Sequence, residues 1–289
     1  MSPQYPQPGD TVTLTATDYS GNPDAMTYLW TVDGSTVLRG VGAKTFTTTA
    51  GPAGSAIKVS ATVADNGVAL ASGSATIRPA DVDIVWEGNT SVPPFYTGRP
   101  LPNGQSPVSV LAIPHIGTPG TELSEDSLIY QWQVNGTPVP DASGYGKSFA
   151  SLTPPVFAKP FTVSVRIETV DGTRSAYGTV TIAPRVPEAI VYEDAPLLGV
   201  RFEKAVSSSF LMKQAETSFA AFPLFTATSA ALSYQWTLDG SPFSVDPTQP
   251  GDVTFRKQGG GSGAHPVTFS YSNPGVFLEN ATAAFTLTF

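Results

Sequence analysis

The chain has 289 residues, 40% of them hydrophobic and only 13% charged, with a net charge of −8 and no cysteine. Its 15 basic residues are scattered and form no stripe for nucleic acid, and no apolar run approaches the roughly 20 residues of a membrane helix. The absence of cysteine excludes thiol catalysis, thiolate metal sites and disulfides.

Short alternating runs rich in Thr, Ser, Val and Ala, broken by 27 glycines and 27 prolines, predict an all-β chain with little or no helix. The opening "MSPQYPQPGD" lacks the charged start and apolar core of a signal peptide. We read the chain as extracellular or cell-surface, freed of its signal and anchor, with Met1 as an added start.

The first predicted strand is "TVTLTAT" (11–17), followed by "YLWTVDG" (28–34). The latter alternates, then stops at Asp-Gly, the signature of a tight hairpin. After the connection "GAKTFTTT" come "IKVSATV" (57–63) and "GSATIRP" (73–79). The same order then returns twice. "VSVLAIP" (108–114), "YQWQVNG" (130–136), "GYGKSFAS", "FTVSVRI" (161–167) and "YGTVTIAP" (177–184) make a second copy. "FAAFPLFT" (219–226), "YQWTLDG" (234–240), "GDVTFRKQ", "VTFSYSN" (267–273) and "ATAAFTLTF" (281–289) make a third. Trp30, Trp132 and Trp236 stand 102 and 104 residues apart. Alternation places the Tyr, Trp and Val or Leu of each motif on one face, with the Trp in a core between two sheets.

The repeat settles the meaning of "DASGYGKSF" (141–149), which at first suggests a phosphate loop. Asp141 stands where the first glycine is needed, and prolines 154, 155 and 160 forbid a following helix. It is the connection of the second copy. Phe149 is expected to match Phe46 and, more loosely, Phe255, with Lys147 matching Lys44 as a solvated edge charge. The junctions repeat too: "IRPADVDIVWEG" (77–88) and "IAPRVPEAIVYED" (182–194) each hold an exit proline and an Ile-Val-aromatic-Glu strand. The predicted domains are 1–80, 81–186 and 187–289, joined by short stiff links.

This Tyr-x-Trp pattern, the unit length near 100 and the strand order resemble the immunoglobulin-like β-sandwiches, especially bacterial Ig-like and PKD-like modules. The "DIVWEGN…PPFYTG" opening of the second unit resembles uncharacterised secreted multi-Ig proteins of candidate-phylum bacteria. The resemblance implies three tandem Ig-like sandwiches, a secreted or surface location and a non-catalytic role. The family's cysteine pair is absent; Val59, Val163 and Val267 or close neighbours lie where its second cysteine falls.

Catalytic constellations are missing. His115 and His265 are single and read as loop residues, and "GGGSG" (259–263) lacks a strand-to-helix elbow. Carboxylates near 122–126 read as a solvated loop. No lysine among Lys58, Lys159 and Lys204 faces an obvious Asn or Asp for an isopeptide bond. No cofactor is expected, although Asp81, Asp83 and Glu87, and Glu188, Glu193 and Asp194, could share calcium at the junctions. The residues best suited to an interaction or interdomain surface are Trp86, Phe95, Tyr96, Arg99 and Tyr192, of types enriched at binding hot spots. We expect packing against the neighbouring module rather than ligand contact. The expected role is a rod-like spacer or pilus-associated element reaching on the order of 100 Å by strand rise. Its expected partners are a surface or filament protein or a glycan, and the alternative is a recognition module.

Overall fold

The computed structural model describes residues 1–289 apart from 20–21, 119, 155–158, 228–230, 259–261 and 278. The centre of the glycine-rich stretch 257–263 and the proline at 155 therefore lie outside the described residues. Among the described residues all regular structure is β, except for 3-10 turns at Glu125–Ser127 and Pro140–Ala142. No helix there is long and apolar enough to cross a membrane.

The Asp/Asn-Gly pairs fold as the sequence dictates. Asp33 and Gly34 (φ 47° and 85°), Asn135 and Gly136 (49° and 77°), and Asp239 and Gly240 (52° and 78°) are all left-handed. That pair of conformations matches the right-handed twist of two strands joined by two residues. The carboxylate of Asp33 accepts the Lys58 N–H (3.0 Å), and the Asn135 amide oxygen accepts the Thr162 N–H (2.9 Å). Each turn side chain thereby also fixes the start of the neighbouring strand.

Each copy builds two main sheets, and the second adds a two-stranded ribbon of Gly117–Thr118 and Thr121–Glu122. In the first, Thr11–Thr15 pairs with Thr45–Thr49, and a second sheet runs Ser35–Val41, Thr27–Val32, Ile57–Asp65, Val68–Ile77. The second copy has a three-stranded sheet of Phe149–Leu152, Val108–His115 and Asp81–Gly88. Its other sheet is built on Leu128–Val134, Phe161–Thr169 and Ser175–Ile182. The third runs Gly199–Ala205, Glu188–Ala195, Glu216–Leu224, Asp252–Arg256 in one sheet. Its other sheet runs Ser209–Leu211, Asn280–Thr288, Ala264–Ser272, Ser233–Leu238, Ser241–Phe243. The fold is all-β, a tandem of three Ig-like sandwiches. The backbone gathers into two compact units, one of Met1–Val85, Val110–Ala150 and Thr162–Thr181, the other of Trp86–Ser109, Ser151–Phe161 and Ile182–Phe289. These units cut across the repeat boundaries, because the strand Asp81–Gly88 contributes to both.

The repeated tryptophan is buried in every copy. Its indole N–H donates to a backbone carbonyl of the connection that follows: Ala43 (2.8 Å), Lys147 (2.9 Å) and Pro250 (3.2 Å). One polar atom is thus satisfied while the ring fills the core. Around Trp30 lie Val12, Leu14, Tyr28, Val59 and Ile77, and around Trp236 lie Phe219, Phe269, Phe285 and Leu287. Val59, Val163 and Val267 are buried and pair with Val32, Val134 and Leu238.

The connections correct one sequence correspondence. The Ala16, Ala112 and Ala221 N–H groups donate to the carbonyls of Lys44, Ser148 and Gly251, which sets the three copies in register. Phe46 therefore matches Ala150 and Val253, not Phe149 and Phe255. Phe149 points outward while Ala150 and Val253 are buried. The tryptophan-to-connection spans differ in length, and a one-residue slip along a strand exchanges its faces. Lys44 pairs with Asp24 (2.7 Å), whereas Lys147 supplies the carbonyl that Trp132 uses.

Candidate functional site

The segment 89–107 links the strands Asp81–Gly88 and Val108–His115, and five prolines (93, 94, 100, 102 and 107) stiffen it. It closes on itself. The Gly88 N–H donates to Pro100 O (2.8 Å), the Asn89 N–H to Pro107 O (2.9 Å) and the Thr90 hydroxyl to Leu101 O (2.8 Å). A Cβ on Gly88 would stand 2.3 Å from the Pro102 nitrogen, so this crossing demands glycine.

One edge of the loop is a buried polar seam within the second unit. Ser91 exchanges backbone bonds with Thr226 and Phe225 (2.7 and 2.9 Å), and the two hydroxyls of Ser91 and Thr226 meet at 2.9 Å. Asn103 is 1% exposed and spends its whole amide. Its oxygen accepts the Gln105 and Ser106 N–H groups (2.7 Å each). Its nitrogen donates to Phe225 O (2.9 Å) and to the carboxylate of Glu279. Glu279 is 2% exposed. It also accepts the Ala227 N–H (2.9 Å) and the Asn273 amide (2.6 Å). A carboxylate taken from water is tolerable only when such donors replace its hydration. Beside it, burial first and then the charge of Glu279 push the Tyr271 phenol far up, and that hydroxyl donates to Glu188 O (3.1 Å).

The sequence-predicted residues fall into three groups. The Arg99 guanidinium lies 4.4 Å from the Trp86 ring centroid, a stacked cation–π pair. Phe95 and Tyr192 both meet Phe202 edge-on, at 5.7 and 5.3 Å, and Phe222 closes the cluster at 5.4 Å from Phe202. Tyr96 instead meets Phe225 edge-on at 6.2 Å. Phe222 and Tyr192 alternate with the core residues Ala221 and Val191, so the cluster lies on the outer face of the sheet. Burial raises the Tyr192 phenol. Phe95 (φ 60°) and Phe225 (φ 58°) both hold the left-handed conformation, which bulky residues adopt only when their surroundings impose it.

Sequence reasoning missed Asn103, Glu279, Phe202, Phe222 and Phe225. "PNG" at 102–104 carries turn-forming residues, but residue type alone does not say what its asparagine will reach. Nothing in "EN" at 279–280 marks its glutamate as buried.

The remaining candidates fall elsewhere. His115 ends a strand and meets Asp83 (3.2 Å); His265 lies within a strand, meets Asp239 (2.8 Å) and stacks on Phe289 at 5.1 Å. Neither is the loop histidine that the sequence suggested. Asp81 receives the Gln7 amide (3.2 Å) and its neighbour's N–H. Burial, then the charge of Asp194, raises the carboxyl of Asp252. Among the described residues no group of three or more His, Cys, Asp or Glu side chains gathers to hold a metal ion.

No family model and no curated protein matches the chain. Among solved structures it is similar to the central fibronectin-III array of RIM-binding protein, at 12% identity over 98% of this chain and 93% of that one, TM-score 0.35. It is also similar to the three N-terminal domains of the outer capsid protein Hoc of bacteriophage RB49, at 15% identity over 98% and 95%, TM-score 0.28. A third is the Bacteroides ovatus glucan-utilization protein SGBP-B in complex with a mixed-linkage heptasaccharide, at 10% identity over 100% and 69%, TM-score 0.24. At these values the likeness carries no argument, and the fold is read from this chain's own strand order.

Proposed function

We propose that this chain is a non-catalytic extracellular structural or adhesive protein, a spacer whose modules are locked to one another by loop 89–107. One observation carries the reading. The loop's hot-spot residues are engaged internally, Arg99 on Trp86, Tyr96 on Phe225 and Phe95 on Phe202, while Asn103 is fastened to a buried carboxylate. A recognition loop keeps such groups for its ligand; a structural fastener uses them on its own chain.

The test compares stability with binding. Asn103→Ala should lower the calorimetric unfolding midpoint of the second unit and expose 89–107 to hydrogen exchange. It should leave binding to surface proteins and glycans at background, as in wild type. A variant as stable as wild type, with the loop still protected, would sink the fastener.

A second reading keeps the same loop as a recognition surface for a glycan or protein. It rests on Phe95, which stays 87% exposed despite its contact, and on Leu197 and Leu198 at the tip of the adjacent hairpin, 96% and 78% exposed. Saturable binding to an arrayed glycan or protein, lost in Phe95→Ala or Tyr96→Ala without loss of stability, would favour it.

A further inference from the structure

Asn or Asp stands directly before Gly at 33–34, 66–67, 103–104, 135–136, 171–172 and 239–240. Such a pair can react with itself. The glycine nitrogen, unshielded by a Cβ, can attack the carbonyl carbon of the preceding side chain. Whether it does so in the folded chain depends on what holds that side chain and how readily the turn opens.

All the pairs but one are held. The Asp33 carboxylate accepts the Lys58 N–H, and the Asn135 amide oxygen accepts the Thr162 N–H. Asp171 accepts the Thr169 hydroxyl (2.6 Å) and both the N–H and the hydroxyl of Thr173 (3.1 and 2.9 Å). Asp239 is bonded to His265, and Asn103 is buried with its whole amide spent.

Asn66 is the exception. It is exposed, and among the described residues nothing bonds its side chain. Asn66 and Gly67, both left-handed (φ 49° and 83°), form the tip of the hairpin between Ile57–Asp65 and Val68–Ile77. A Cβ on Gly67 would meet nothing within 4 Å. The hairpin behind this tip is weakly held. Residues 68–74 are all exposed, and the register shifts between Val63 and Ala64, so that the ladder skips Leu70. A segment with so little packing opens at low free-energy cost. The sister copies stitch the same connection: the second through Asp171, the third through Asn273, which donates to Glu279 and accepts the Gly275 N–H (2.9 Å).

We propose that Asn66 is a self-modification site of the folded chain, converting to isoaspartate and aspartate through a cyclic imide. When the tip opens, the Gly67 nitrogen bonds to the Asn66 side-chain carbonyl carbon, the bond from that carbon to the amide nitrogen breaks, and ammonia leaves with the proton from Gly67. Water then opens the ring at either carbonyl, and no other reactant is needed. Opening at the side-chain carbonyl gives aspartate. Opening at the main-chain carbonyl gives isoaspartate and routes the backbone through the Asn66 side chain, one carbon longer. A two-residue turn with both residues left-handed has no room for that carbon, so the pairing of Asp65 with Val68 is lost. Either product sets a second carboxylate beside Asp65. The site belongs to the first unit and uses no residue of loop 89–107, so it stands or falls apart from the function proposed above.

The test is to hold the full chain in near-neutral buffer at physiological temperature and follow each Asn-Gly pair by peptide mapping and mass spectrometry. Asn66 should convert at least about tenfold faster than Asn103 or Asn135. In urea-unfolded chain, where all three are followed by glycine and none is held, their rates should converge. Asn66→Gln sets the carbonyl one carbon further from the Gly67 nitrogen and should remove the fast conversion while leaving the thermal midpoint unchanged. In the isoaspartate fraction, hydrogen exchange should rise over 64–70 and nowhere else. Conversion of Asn103 or Asn135 as fast as Asn66 in the folded chain would overturn the proposal. So would an Asn66 that stays intact when folded while the unfolded chain converts.

Discussion

Glu279 is a buried carboxylate held by three uncharged donors from three segments, Asn103, Ala227 and Asn273. Hydrogen bonds to a charged group contribute about 1.5–3 kcal/mol, and a buried group left unpaired costs about 1–3 kcal/mol or more. Glu279→Gln sets an amide donor among donors, so denaturant unfolding should show a loss of about 1–3 kcal/mol. Two other side chains tie stability to pH. Burial first, then Glu125 and Asp126, push the Tyr130 phenol up to about 12. The fold favours the neutral phenol. Its contribution is full below the ordinary phenol value of about 10 and is lost as pH rises from there towards the folded value. A titration of phenolate absorbance should show one fewer late-ionising group in Tyr130→Phe. Asp252 has the same sign in the carboxylate range, raised by burial and then by Asp194. Its contribution is present below the ordinary value of about 4 and lost as pH rises through the folded one. At neutral pH its charge therefore opposes folding. Asp252→Asn should raise the thermal midpoint there and leave it unchanged in strong acid.

Strands of the same sequence pattern differ in what lies against them, and two glycines measure the difference. Gly178 is pressed by Val82 and Ile84, whereas Gly73 faces open space. Gly178→Ala forces a methyl into occupied volume and should cost about 1–3 kcal/mol by overpacking. Gly73→Ala restricts the unfolded chain at no steric cost and should stabilise by about 0.5–1 kcal/mol. Urea melts of the two variants should move in opposite directions; a shift of the same sign would mean the two edges are covered alike. The slipped register of Phe149 belongs here too. Its strand is the same element as that of Phe46, but the 3-10 turn Pro140–Ala142 and the Gly144–Tyr145 pairing lengthen the approach by a residue or two.

For the whole molecule the question is what keeps tandem modules from swivelling freely. The second unit answers with packing and hydrogen bonds drawn from a loop of one repeat and from three segments of the next. The first unit has its own fastening, with Tyr5 stacked 5.9 Å from Tyr177 and under the Arg166 guanidinium at 5.5 Å. Both sets are ring contacts and hydrogen bonds between protein groups, and we expect them to hold without an ion. Addition of calcium or chelator should therefore leave the thermal midpoint and the solution scattering curve unchanged. A calcium-dependent rise in the midpoint would return the junction acids Asp81, Asp83 and Glu193 to consideration as ligands.

The amino-acid sequence by itself determined the β class, the three copies, the hairpins and the identity of the buried tryptophans. Those features are local: alternation, Asp/Asn-Gly turns and a repeated motif act within a few residues of where they are written. The sequence also singled out Trp86, Phe95, Tyr96, Arg99 and Tyr192 by residue type. It did not reveal that Arg99 would lie on Trp86, or that Phe95 and Tyr192 would share Phe202. Only the tertiary structure decided the Asn103–Glu279 bond, which joins residues 176 positions apart, and the open space beside Gly73. A contact at that separation depends on how strands are covered and where loops fold back. Gly73 and Gly178 sit in nearly the same words, and what distinguishes them is a strand that lies over one and not the other.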